Sequence, residues 1–174
     1  MNAGKSTALL QSNYNYNERG MDTLLFLPKV DADVNKNKIH SRIGLIADAI
    51  SVDTSFDFFD YVQNFKNDKK VDAILIDEVQ FLTKDQVKQI CKISDTLNIP
   101  SMCYGIRTDF RGELFEGSSE LLALADNLIE LKTLCDCGRK ATMVVRLDES
   151  GNVITSGEKI QIGGNDTYKV YCRK

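Results

Sequence analysis

Val71-Asp72-Ala73-Ile74-Leu75-Ile76-Asp77-Glu78 is a short apolar run that ends in two carboxylates. Its continuity suits a strand buried on both faces, as in a parallel sheet covered by helices, and its acidic end falls where ligands of open α/β sheets bind. Comparable runs lie on either side: Thr23 to Leu27, closed by Pro28, then Ile99 to Tyr104 and Leu128 to Leu131. Between them Phe56, Phe59, Val62 and Phe65 recur at helical spacing, as do Val87, Ile90, Cys91, Ser94 and Leu97. Thr83 and Gln86 form a capping-box pair at the start of the second helix, and Ser118 or Ser119 is expected to cap a helix through Ala125. Strands alternating with helices predict an α/β fold from Lys5 to about Leu131. The Asn-rich stretches Asn13 to Asn17 and Asp31 to Lys38 read as loops, and so does the surrounding of His40, the single histidine.

The chain has 174 residues, enough for one domain with a small appendage but not for two full-sized domains. With 43% hydrophobic and 27% charged residues it has the material for a core, which excludes disorder. A formal net charge of −3 supplies no electrostatic footprint for a polyanion, so no nucleic-acid partner is expected. No apolar run approaches the roughly 20 residues of a spanning helix and the start lacks a secretory layout, so no membrane partner and a cytoplasmic location are expected. Cys91 and Cys103 sit in apolar stretches as small hydrophobes, whereas Cys135, Cys137 and Cys172 lie in polar, turn-rich sequence that suggests metal. After Lys132 the chain turns to cysteines, glycines and short alternating segments, Ala141 to Leu147 and Lys159 to Ile162, which read as a small β appendage. So few large apolar side chains call for a structural metal.

Gly4-Lys5-Ser6-Thr7 opens the first helix. A Gly-Lys-Ser/Thr segment there can hold phosphates. Backbone N–H groups and the helix dipole face the anion, Lys5 reaches the outer phosphates and the Ser6 hydroxyl can ligate Mg²⁺. Read alone, it is equally a helix start with a solvated lysine. Joined to the acidic strand tip it forms a Walker-type pair, with Asp77 holding the metal and Glu78 free to meet a nucleophile. Alternating faces of an extended tip predict that the two carboxylates point apart. One carboxylate beside Mg·ATP suits phosphoryl transfer to an alcohol, whose proton Glu78 would accept.

Met1-Asn2-Ala3-Gly4-Lys5-Ser6, Asp77-Glu78-Val79-Gln80-Phe81, Tyr104-Gly105-Ile106-Arg107-Thr108-Asp109-Phe110, Cys135-Asp136-Cys137 and Ile162-Gly163-Gly164 together resemble the zinc-containing (type II) thymidine kinase family. The likeness spans essentially the whole chain, in the family's order. It implies a P-loop (RecA-like) parallel sheet flanked by helices over residues 1–131, and a zinc-binding β appendage with a lasso loop over residues 132–174. The implied activity is transfer of the γ-phosphoryl of ATP to the 5′-hydroxyl of thymidine, and of deoxyuridine, in deoxynucleotide salvage. ATP, Mg²⁺ and Zn²⁺ are the implied cofactors; a homotetramer and feedback inhibition by dTTP are implied as well.

Carried over residue by residue, the resemblance makes Glu78 the proton acceptor. Met1, Asn2, Ala3, Gly4, Lys5, Ser6, Thr7, Asp31 and Asp77 to Gln80 become nucleotide-site residues, with Ser6 and Asp77 on magnesium. Phe81, Ile106, Phe110 and Phe115 match positions around the thymine ring, although core packing explains such side chains equally well. Ile160, Ile162, Gly163, Gly164 and Tyr168 match the lasso that reads the base through main-chain groups; on spacing alone the Gly-Gly pair is an ordinary turn. Cys135, Cys137 and Cys172 match zinc ligands, against the alternative of inert thiols. The family pattern also implies a strand before Met1 and a further ligand beyond Lys174. Where it usually has Asp-x-Arg this chain has Asp31-Ala32-Asp33, which leaves Arg42 or Arg107 to supply the phosphate contact.

Two other functions share some of these residues. An ATP-driven motor on nucleic acid would use the same acidic box, with the glutamate activating water. An inactive, zinc-stabilised remnant of a kinase would keep the thiolates alone.

Overall fold

The computed structural model describes residues 3–30, 37–158 and 167–174. Helix α1 (Lys5–Asn17) leads into strand β1 (Thr23–Pro28), then β2 (Lys38–His40), β3 (Ile46–Asp48) and β4 (Ile50–Val52). Next come α2 (Phe58–Asp68), β5 (Ala73–Ile76), a single 3₁₀ turn (Val79–Phe81), α3 (Lys84–Leu97), β6 (Ser101–Cys103) and α4 (Glu116–Leu124). Five short strands follow: β7 (Thr133–Leu134), β8 (Lys140–Ala141), β9 (Met143–Leu147), β10 (Val153–Ile154) and β11 (Tyr168–Tyr171).

The expected α/β architecture is present as a parallel sheet in the order β4-β1-β5-β6. Its central strands need apolar residues on both faces because helices cover both. Leu24, Phe26, Ile74 and Ile76 point to one side and pack with Phe58 and Val62 of α2 and Val87, Ile90 and Ile93 of α3. Leu25, Leu27, Ala73 and Leu75 point to the other and pack with Leu9 and Leu10 of α1. This two-sided packing is the strand period of two at work, and it fixes the register Leu25 to Leu75 and Ile76 to Cys103. Helix α3 begins with the predicted capping box, Gln86 N donating to Thr83 Oγ1 at 3.2 Å and Thr83 N to Gln86 Oε1 at 3.1 Å. The same Gln86 amide donates to the carbonyls of Asp53 and Phe56, anchoring the loop before α2.

Four local expectations are corrected. Leu128 to Leu131 is not a strand: no neighbour pairs with it among the described residues, and Leu128 and Ile129 are 64% and 85% exposed. Asn13 to Asn17 belongs to α1, where Gln11 bonds Asn15 and Asn17 bonds Asn13 one turn apart while Tyr16 packs on the core. Helix α4 starts at Glu116 behind Phe115, so neither serine caps it; the Ser118 hydroxyl instead donates to the Ile106 carbonyl at 2.6 Å. His40 lies exposed in the antiparallel β2–β3 ribbon, not in a loop.

Past α4 the chain forms the expected small β structure. A β7–β8 hairpin carries Cys135 and Cys137 in its turn, and an antiparallel sheet runs β10-β9-β11. Thr142 N donates to the Tyr171 carbonyl, which joins the hairpin to the end of β11 beside Cys172. Ile160, Ile162, Gly163 and Gly164 lie outside the described residues, as do Met1, Asn2 and Asp31. Among the described residues no helix is long and apolar enough to cross a membrane.

Candidate active site

The site forms where α1 begins and β5 ends. Gly4 precedes α1 in the left-handed region, at φ 72°, a conformation glycine adopts at little cost. The first intrahelical bond runs from Ala8 N to the Gly4 carbonyl, so the amides of Lys5, Ser6 and Thr7 precede the ladder, and the helix start has no side-chain cap. These are the donors that an anion at a helix N-terminus uses.

Against this turn stands the tip of β5. The Lys5 ammonium bonds the Asp77 carboxylate and also Glu78 Oε1, the latter at 2.6 Å. Ser6 Oγ donates to Asp77 Oδ2 at 2.6 Å. The prediction that Asp77 and Glu78 point apart fails, and the backbone explains why. Glu78 leaves the extended conformation for the left-handed region, φ 51° and ψ 39°, so side-chain alternation stops at Asp77. That conformation costs a non-glycine residue on the order of 1 kcal/mol. It is offset by Glu78 N donating to Asp77 Oδ1 and by Val79 N donating to the Tyr104 carbonyl, and its effect is to turn both acids onto one cation.

Burial disfavours the Lys5 ammonium, but the attraction of Glu78 and Asp77 and their hydrogen bonds outweigh it and hold the group above its ordinary pKa. Burial pushes Glu78 up, yet Lys5 and the bonds from Lys5 and Gln80 outweigh that and hold its carboxyl below the usual range. Glu78 is therefore an ionised acceptor at neutral pH. Gln80 is buried beside it, with Nε2 donating to Glu78 Oε2 and Oε1 accepting from Ile106 N at 3.3 Å.

The site residues fall into two neighbouring groups. Ala3, Gly4, Lys5, Ser6 and Thr7 lie at the helix start; Asp77 and Glu78 meet Lys5 and Ser6, whereas Val79 packs in the core and Gln80 stands behind Glu78. Phe81 and Phe115 meet edge to face at 6.0 Å, and Phe115 is buried behind the Arg107–Leu114 loop, which its N–H closes by bonding the Arg107 carbonyl. Ile106 is half-buried and held by Gln80 and Ser118. Phe110 is buried under the Arg146 guanidinium, whose central carbon stands 4.0 Å from the ring centroid; Tyr168 borders the same guanidinium. Arg107 and Arg42 are both exposed, and the charge of Arg107 acts on Glu130.

Three residues of consequence were given no role in the sequence reading. A Cβ on Gly117 would stand 2.3 Å from the Val79 carbonyl oxygen, and one on Gly105 2.6 Å from Val79 Cγ2 and 2.8 Å from Gln80 Oε1. Both glycines let the acidic turn sit against its neighbours. Arg146 is the third, a charge inside the Met143–Leu147 strand, where an inward arginine breaks the pattern and could have been noticed.

At the other end Cys135, Cys137 and Cys172 bring their sulfurs within 4.8 Å of one another, Cys137 and Cys172 at 3.6 Å. Tetrahedral zinc with Zn–S bonds of about 2.3 Å separates two sulfurs by about 3.8 Å, so the donor set fits that ion. Backbone N–H groups of Cys137 and Cys172 pull the Cys135 thiol down to about 7. The Arg139 N–H draws Cys137 the same way, but the neighbouring sulfurs outweigh it and push that thiol up. Such a cluster holds more than one thiolate only with a cation among them. His40 takes no part in this cluster.

The sequence family described as thymidine kinase matches residues 1–174. A thymidine kinase of Photorhabdus laumondii is 55% identical over 174 residues, covering 100% of this chain and 87% of the relative. One of Rhodopirellula baltica is 54% identical over 173 residues, 99% of this chain and 82% of the relative. One of Coxiella burnetii is 55% identical over 175 residues, 100% of this chain and 89% of the relative. Full-length likeness of this degree, joined to a helix-start lysine that meets two strand-end carboxylates, leads to one assignment: the chain belongs to the thymidine kinase family.

Proposed function

We propose that the chain phosphorylates thymidine, and deoxyuridine, at the 5′-hydroxyl with ATP as donor, in deoxynucleotide salvage. The observation that carries this reading is the convergence of Lys5, Asp77 and Glu78 beneath the open amides of α1. Residues 1–131 bind ATP, with Ala3 to Thr7 and Asp77 to Gln80 around the phosphates; Met1, Asn2 and Asp31 join them on the family pattern. Ser6 and Asp77 would hold Mg²⁺, which would supply neutralisation of the phosphate charge. Glu78 accepts the hydroxyl proton while the sugar oxygen bonds phosphorus and ADP departs. An acid of lowered pKa suffices there, because a loose transition state demands the proton late and needs orientation more than basicity.

Residues 132–174 hold Zn²⁺ on Cys135, Cys137 and Cys172, which staples a segment with little core of its own. Phe81, Ile106, Phe110 and Phe115 line the base, and on the family pattern Ile160, Ile162, Gly163, Gly164 and Tyr168 belong to the segment that reads it through main-chain groups. A cytoplasmic homotetramer inhibited by dTTP completes the reading.

The test is incubation with Mg·ATP and either thymidine or single-stranded DNA. The expected product is thymidine monophosphate, with no stimulation by DNA. Hydrolysis of ATP stimulated by DNA without nucleoside phosphorylation would overturn the reading in favour of a nucleic-acid motor. Retention of zinc without ATP binding would overturn it in favour of an inactive remnant.

A further inference from the structure

Gln80 is buried in the 3₁₀ turn that follows Glu78, and its side-chain amide is engaged at both ends. Oε1 accepts from Ile106 N at 3.3 Å, while Nε2 donates to Glu78 Oε2. A backbone N–H can only donate and an ionised carboxylate can only accept, so these two partners fix which end of the amide is oxygen. A flipped amide would set donor against donor at Ile106 and acceptor against acceptor at Glu78. The Ile106 end is itself anchored, because the Ile106 carbonyl accepts from Ser118 Oγ of α4 at 2.6 Å. Gly105 leaves the room, since a Cβ there would stand 2.8 Å from Gln80 Oε1.

The two oxygens of Glu78 are therefore unlike. Oε2 faces the amide, and Oε1 bonds the Lys5 ammonium at 2.6 Å. Lys5 ends a flexible four-carbon stem and can turn to a phosphate, whereas the Gln80 amide is enclosed, so a bound nucleotide frees Oε1 and not Oε2. We propose that Gln80 is a positioning residue for the proton acceptor, holding Glu78 by Oε2 so that Oε1 takes the proton of the nucleoside 5′-hydroxyl. This rests on the reading in which Glu78 is that acceptor. The O–H electron pair stays on the sugar oxygen as it bonds phosphorus, the pair of the broken P–O bond leaves with ADP, and the proton settles on Oε1. Oε2 then becomes the carbonyl oxygen of a neutral acid and still accepts from Nε2, so the amide bond lasts through the transfer. A proton on Oε2 would instead leave the weaker hydroxyl acceptor facing the amide. Gln80 thus serves the site through Glu78.

Gln80→Met keeps the length of the side chain and removes both ends of the amide. Single-turnover formation of thymidine monophosphate at saturating Mg·ATP and thymidine should slow about 10- to 100-fold, with both steady-state KM values within about threefold of wild type. In the Glu78→Gln background the same change should add less than about twofold, because a residue that acts only through Glu78 has nothing left to position. A merely structural role would slow both backgrounds by the same factor, and that result would overturn the proposal. Transfer by Gln80→Met within about threefold of wild type, or a loss confined to KM, would overturn it too. Should Gln80→Met fail to fold, Gln80→Glu keeps an acceptor for Ile106 and removes the donor toward Glu78, and the same comparison of backgrounds decides. If Glu78→Gln alone transfers at the wild-type rate, the reading of Glu78 as acceptor falls and the proposal with it. If Glu78→Gln is slow and the Gln80 loss multiplies with it, only the proposal falls.

Discussion

Lys5, Asp77 and Glu78 meet at the end of a sheet whose strands are buried on both faces, whereas Cys135, Cys137 and Cys172 meet where a two-residue hairpin touches the end of one short strand. The first cluster is held by its surroundings: Ser6, Gln80 and the Glu78 and Val79 amides fix each group, and the core of β1 and β5 fixes those. The second is held, among the described residues, by backbone N–H groups alone. Cys137 is exposed, and repulsion among neighbouring thiolates opposes their closeness. Charges of opposite sign can be assembled by burial and hydrogen bonds, but charges of one sign near a surface need a cation. The folded geometry of the phosphate end, though not its Mg²⁺-dependent turnover, should therefore withstand chelators and respond to changes in buried packing, and the geometry of the thiolate end the reverse.

The contrast breaks most sharply at Lys5. Lys5→Met leaves the buried Asp77 and partly buried Glu78 carboxylates facing each other with no cation, and phosphoryl transfer should fall by about 10³-fold or more, since both phosphate binding and the ionised state of Glu78 depend on it. Activity within tenfold of wild type in a thymidine monophosphate assay would mean that the cluster is not the phosphate site. Gly117→Ala comes next. Its Cβ would collide with the Val79 carbonyl, so the 3₁₀ turn or α4 must move, at a cost of about 3 kcal/mol read by denaturant titration. A cost below 1 kcal/mol would show that the acidic turn is not rigidly seated. Cys137→Ser has the smallest effect of the three and sharpens the comparison from the other side. Bound zinc should be lost, measured by metal analysis, and thymidine affinity should fall about tenfold while Mg·ATP affinity stays within about twofold. Loss of nucleotide affinity to the same degree would join the two ends into one unit.

Much of this was readable from residue order. The apolar runs at β1, β5 and β6 and the capping box at Thr83 follow from local pattern, because burial on both faces and helix caps leave local signatures. The acidic tip was readable as a site, but not its geometry: strand alternation predicts diverging carboxylates, and only the left-handed turn at Glu78 brings them together. Leu128 to Leu131 has strand composition and no strand, because pairing depends on a neighbour that a local run does not reveal. Asn13 to Asn17 misleads in the opposite direction, as Tyr16 packing and side-chain bonds override a low helix propensity. The thiolates were legible as a trio by type and context. The Arg146 junction was not, since it depends on which loop the β9 strand packs against.

The central claim is that Glu78, held ionised by Lys5 and oriented by Gln80, takes the proton from the nucleoside hydroxyl. Glu78→Gln preserves shape and removes the charge. Single-turnover measurement of thymidine monophosphate formation at saturating Mg·ATP tests it most directly. The account predicts transfer slower by about 10²- to 10⁴-fold, with ATP and thymidine affinities within about threefold of wild type. A transfer rate within a few-fold of wild type would contradict it.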